Sequence, residues 1–169
     1  MIRALALALA LLAAVAYAQA PTYGCDSTES RQLDFWVGEW ELTYAGPDGK
    51  PVKSRNRITK TLDGCAILEE FTGAPGTKLD GRSYSAFDRA TKRWKQTWVD
   101  NTASYLDFEG TTVDGHMAFA RVVQKDGKSS HQRMVFRDVK PDSLKWIWEL
   151  SPDGKVWKTS WEIEYKRVK

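Results

Sequence analysis

The stretch Asp34-Phe35-Trp36-Val37-Gly38-Glu39-Trp40 constrains this chain more than any other. Trp36, Gly38, Trp40, Leu42 and Tyr44 recur at every second position, with Glu39, Glu41 and Thr43 between them. A period of two belongs to a strand with one buried face. Two indoles on one face of an opening strand need a deep interior, and Gly38 between them leaves a notch that another backbone or a ligand could enter.

The same alternation returns along the chain. Strands are expected at about 36–44, 52–60, 65–71, 82–88, 93–100, 104–112, 116–124, 130–138, 144–150 and 157–165. Turn signals separate them, among them Gly46-Pro47-Asp48-Gly49, Asp63-Gly64, Asp114-Gly115, Asp126-Gly127 and Pro152-Asp153-Gly154. About ten short strands joined by tight turns read as an up-and-down antiparallel meander, which hides its edges by closing into a β-barrel. Three tryptophan pairs, Trp36/Trp40, Trp94/Trp98 and Trp157/Trp161, have a spacing that puts both indoles on one strand face. Ser27 to Asp34 suits a short helical turn that plugs one barrel end.

The first residues read as a leader. Met1-Ile2-Arg3 precedes an apolar run from Ala4 to Val15, and cleavage is expected after Ala18. That run is shorter than the roughly 20 residues of a membrane span. The chain thus divides into a signal peptide over 1–18, an N-terminal segment with a short helix over 19–34, and an all-β barrel domain over 35–169. The expected location is periplasmic or extracellular, with no membrane span after cleavage. Loss of Arg3 lowers the net charge from +3 to +2, and the basic residues are interleaved with acids, which argues against a nucleic-acid surface. Cys25 and Cys65, the two cysteines, are expected to form a disulfide in an exporting compartment. A lipid-modified Cys25 is the alternative, disfavoured by Thr22 three positions upstream. Two thiols and two distant histidines make no metal site, and no cofactor is expected.

Asp34 to Trp40, Arg57-Ile58, Gly64-Cys65-Ala66-Ile67-Leu68-Glu69 and Trp94-Lys95-Gln96-Thr97-Trp98-Val99-Asp100 together resemble exported bacterial proteins of the domain-of-unknown-function family 1579. The resemblance covers most of the chain after the leader. It implies a lipocalin-like or nitrobindin-like barrel and no established enzymatic activity. Nitrobindins bind haem through a barrel histidine. Here His116 sits beside a turn, and His131 shares its strand face with Arg133 and Arg137, so both are expected in solvent. Haem binding stands as an alternative.

Two readings of the aromatic faces stay open: a packed core, or a cavity lined by Trp40, Trp98, Trp148 and Trp161, with Asn56, Glu69, Tyr84 and Gln96 as polar orienting groups. An apolar wall with few polar groups is what a small-molecule site requires, so the expected partner is a small hydrophobic or aromatic molecule. In the strand at 65–71 either parity buries one carboxylate, and the bulk of Ile67 and Phe71 favours Glu69 inward. A buried acid is costly unless paired or protonated, and Arg82 is a candidate partner. No nucleophile stands beside a base, and Asp107 with Glu109 reads as a solvated pair. A structural or interaction module of the cell envelope, without ligand, is the other class.

Overall fold

The computed structural model describes residues 25–77 and 79–169, so the expected leader lies outside the described residues. Ten strands form the fold: β1 (Gly38–Ala45), β2 (Pro51–Thr61), β3 (Ala66–Thr72), β4 (Asp80–Asp88), β5 (Arg93–Asp100), β6 (Tyr105–Val113), β7 (His116–Lys125), β8 (Lys128–Lys140), β9 (Ser143–Ser151) and β10 (Lys158–Arg167). Each pairs antiparallel with its neighbours in sequence, and β1 closes the barrel against β10. The expected fold class is the observed one.

Turn chemistry sets much of this register. Between β6 and β7, Asp114 and Gly115 have φ of 50° and 79°; between β7 and β8, Asp126 and Gly127 have 52° and 72°. Two successive positive φ values are those of the type I′ turn, whose twist matches that of the strands it joins.

Two 3-10 turns, Glu29–Arg31 and Asp34–Trp36, precede β1. They close one end of the barrel with Leu33 and Trp36, both buried. Phe35 and Trp36 meet Phe136 edge-on, with ring centroids 5.3 and 5.2 Å apart. The Trp94 indole donates to Glu29 O and Gln32 Oε1 at 3.2 and 3.1 Å. Cys25 and Cys65 form the expected disulfide, tying the segment before this plug to the start of β3.

Three sequence expectations are corrected. Trp36 lies in a 3-10 turn and not on the first strand, so its indole caps the end while Trp40 enters the wall; Trp40 Nε1 donates to Trp36 O at 2.8 Å. The Gly38 notch is filled by Arg167 from β10, whose Nη1 donates to Val37 O at 2.7 Å and Nη2 to Phe35 O at 3.0 Å. Trp157 lies outside β10 and does not pair with Trp161 across one face. A bulge between Thr159 and Trp161 inserts a residue and breaks the alternation. Trp157 instead lies under Arg133, the guanidinium carbon 3.9 Å from its ring centroid. Arg133 also pairs with Glu149 at 2.6 Å.

Candidate functional site

At the end away from the plug, the interior holds a cavity of about 210 Å³. Its wall is aromatic because the inward rows of β5, β6 and β9 carry Trp98, Phe108, Trp146 and Trp148, and Trp161 enters from β10. Trp146 stacks on Trp148 at 6.0 Å, and Trp161 stands edge-on to Trp146 at 5.6 Å. Phe71 packs edge-on against Trp98 at 6.0 Å, and Phe108 against Trp148 at 5.7 Å. Edge-to-face contacts brace rings whose remaining faces stay free.

Glu69, Gln96 and Asp100 interrupt this wall. Glu69 faces inward, as the bulk of Ile67 and Phe71 on its face predicts, and is 8% exposed. Its partners are not Arg82: Asn56 Nδ2 donates to Oε1 at 2.7 Å and the Ser83 hydroxyl to Oε2 at 2.7 Å. Asn56 Nδ2 also donates to the Tyr165 hydroxyl at 3.0 Å. Arg82 pairs with Glu70 at 3.6 Å. Burial raises the Glu69 pKa above its ordinary 4.5, although the hydrogen bonds from Ser83 and Asn56 and the field of Arg82 oppose it. Burial, followed by the neighbouring Glu69, also pushes the Tyr165 hydroxyl up. Asp100 behaves in the opposite way. Burial opposes its ionisation, but donors from the Thr102 hydroxyl, the Trp98 indole and the Thr102 and Ser104 amides hold the carboxyl well below the usual range. The ionised Asp100 accepts from Trp98 Nε1 at 2.9 Å and so fixes that indole.

The raised pKa of Glu69 has a stability consequence of definite sign. The folded state keeps this proton over a pH interval in which the unfolded chain has released it, so stability falls as pH rises from about 4.5 towards the folded pKa and is level above it. In Glu69→Gln the amide oxygen can accept from Asn56 while the amide nitrogen donates to Ser83. Guanidinium unfolding should therefore show the variant gaining on the wild type as pH is raised from about 4 to about 8. A difference independent of pH would remove the buried-acid account.

Of the expected lumen residues, Glu69, Gln96, Trp98, Trp148 and Trp161 line the cavity. Trp40 is 1% exposed and packs in the wall between Tyr165, 5.8 Å away, and the Arg167 guanidinium, 4.0 Å away. Asn56 is buried behind Glu69 as its donor. Tyr84 is a correction: it is 54% exposed on the outside of β4, while Gly81, Ser83 and Ser85 form the buried row. Small residues are required there, since a Cβ on Gly81 would lie 2.0 Å from the Trp98 ring. The histidines are half-buried and do not line the cavity. Trp146, Met134 and Tyr165 are among the cavity residues missed in the sequence, although Trp146 follows by period two from Trp148 and Tyr165 by the same period from Trp161.

Among the described residues no helix is long and apolar enough to cross a membrane, and no group of three or more histidine, cysteine or acidic side chains is placed to hold a metal ion. A comparison with curated proteins gives no match to the chain. The family model described as "Protein of unknown function (DUF1579)" matches residues 26–167, which takes in the plug and all ten strands, and the chain belongs to that family.

Proposed function

We propose that this protein binds a small, mainly apolar or aromatic molecule in the barrel lumen. The observation that carries the reading is the cavity of about 210 Å³ walled by Trp98, Trp146, Trp148 and Trp161 and interrupted by only a few polar groups. A filled barrel has no use for four indoles around empty space, whereas a small-molecule site needs an apolar wall with a few polar groups that fix orientation. Gln96 is fastened by its bond to Ser85 Oγ at 2.9 Å, and Glu69 is fastened by Asn56 and Ser83, so both are set before a ligand arrives. Such preorganisation lowers the ordering cost of binding. The reading includes export, supported by the leader-like first residues and by the disulfide.

The test is a titration with N-phenylnaphthylamine, a neutral probe that emits strongly in apolar surroundings. A saturable rise in emission is expected, together with quenching of the indoles. Leu106→Trp, which places a larger ring in the cavity wall, should weaken this binding at least about tenfold. A linear, unsaturable response in the wild type, or full binding by Leu106→Trp, would leave the lumen without a ligand role.

A further inference from the structure

The barrel wall is not equally sealed all round. β6 and β7 are in register from Val113↔His116 to Glu109↔Ala120, and the pairing stops there. Beyond that point Tyr105 to Phe108 of β6 keep β5 as their partner, and Arg121 to Lys125 of β7 keep β8. The two strands therefore part over the half of the barrel that contains the cavity, whose wall includes Leu106 and Phe108 of β6.

Arg121 is the first residue of β7 past the parting. It pairs with Gln132, two residues from the Phe119↔Met134 pair, so it shares the inward parity of Met134, a cavity residue. Its guanidinium carbon stands 5.5 Å from the Phe108 ring centroid, and the side chain is 15% exposed. Nε and Nη1 are buried and have no hydrogen-bond partner among the described residues. Asp107, its ion-pair neighbour, lies 3.9 Å from Nη2 and is itself largely in solvent, and that distance is beyond hydrogen-bond reach.

An arginine in this condition is costly. Its donors have lost water without gaining acceptors, and such buried groups in native proteins call for an explanation. Among the described residues no lysine, arginine or histidine lines the cavity, and Arg121 stands beside it, against the ring of the wall residue Phe108. Of the two carboxyl groups on the wall, Asp100 is already engaged by Trp98, Thr102 and Ser104, and Glu69 by Asn56 and Ser83.

We propose that the lumen ligand carries an acidic group, a carboxylate or a sulfonate, which Arg121 binds where β6 and β7 part while the apolar body lies against Phe108 and the tryptophans. The inference rests on the lumen-binding reading and adds the ligand's charge. A planar guanidinium with several free donors suits a two-oxygen acid, because two parallel charge-assisted hydrogen bonds can form at once.

The experiment uses the disulfide-bonded chain without its leader and two probes that share a ring system: anilinonaphthalene sulfonate and N-phenylnaphthylamine, which lacks the sulfonate. The wild type should bind the sulfonate at least about tenfold more tightly than the neutral probe. Arg121→Met should lose that advantage while binding the neutral probe as before, and Arg121→Lys should keep part of it. Arg55→Met, at an exposed site on β2, should leave both affinities unchanged. Equal affinities in the wild type, an unaltered sulfonate affinity in Arg121→Met, or an equal loss in Arg55→Met would each overturn the inference and leave the lumen reading intact. Failure of both probes to bind would overturn the lumen reading and this one with it. Should Arg121→Met fail to fold, the wild-type comparison and Arg121→Lys decide the matter.

Discussion

Gly38→Val should lower the unfolding free energy by about 3–5 kcal/mol, among the larger effects a single substitution can have. Gly38 has φ of +143°, and a Cβ built there would lie 2.0 Å from Arg167 Nη1. Two costs follow. The backbone conformation itself is strained for a β-branched residue, worth about 1–3 kcal/mol. The guanidinium must also leave a seat in which it donates to Val37 O, Phe35 O and, through Nε at 2.7 Å, to Pro141 O. Hydrogen bonds to a charged group are worth about 1.5–3 kcal/mol, and the face of Trp40 would lose its cation. A double-mutant cycle separates the two costs. With Arg167→Ala already in place, Gly38→Val should cost about half as much, since only the backbone strain remains. Urea unfolding of the four proteins gives the answer, and equal costs in both backgrounds would mean that Arg167 is not what occupies the notch.

This seat also shows how far one sequence can be read. The period of two around Trp40 identified a buried face and a gap beside Gly38, both of which are local properties. The occupant comes from the last strand, so it depends on barrel closure between β1 and β10, which no local pattern encodes. Similar reasoning applies to the site. Trp94, Gln96 and Trp98 share the inward face because strict alternation survives along β5, and Glu69 lies inward because Ile67 and Phe71 outweigh Ala66 and Leu68. On β4 the same preference for bulk misleads. Tyr84 looks like the inward residue until the Trp98 ring is seen lying across Gly81, where only the smaller row fits. The bulge before Trp161 and the parting of β6 from β7 are failures of pairing, set by the closure of the whole sheet. They decide where Trp157 goes and why Arg121 lacks acceptors, and neither leaves a mark in composition or spacing.

Replacing both Cys25 and Cys65 by alanine should cost about 4 kcal/mol. The bridge joins residues 40 apart, and the loss of loop-closure entropy from the unfolded chain for a loop of that length is about 4 kcal/mol in the chain-entropy model. The native state adds a structural reason for a large effect. The segment held by the bridge carries Leu33 and Trp36 into the barrel end and supplies both acceptors of the Trp94 indole. Without the tie, these turns should open at lower free energy than the strands, as weakly anchored segments do. Limited trypsin digestion should then cut at Arg31, an exposed residue of the first turn, well before the barrel unfolds. The cavity provides an internal control. It is bordered by Leu79, Asp100, Leu106 and Trp161 at the strand ends opposite the plug. Binding of N-phenylnaphthylamine should therefore survive the double substitution at temperatures where the barrel remains folded. Unchanged stability would show that the plug is held by packing alone. Loss of probe binding while the far-ultraviolet spectrum is preserved would show that the two ends of the barrel are coupled, through packing such as the column of Trp36, Trp40 and Tyr165.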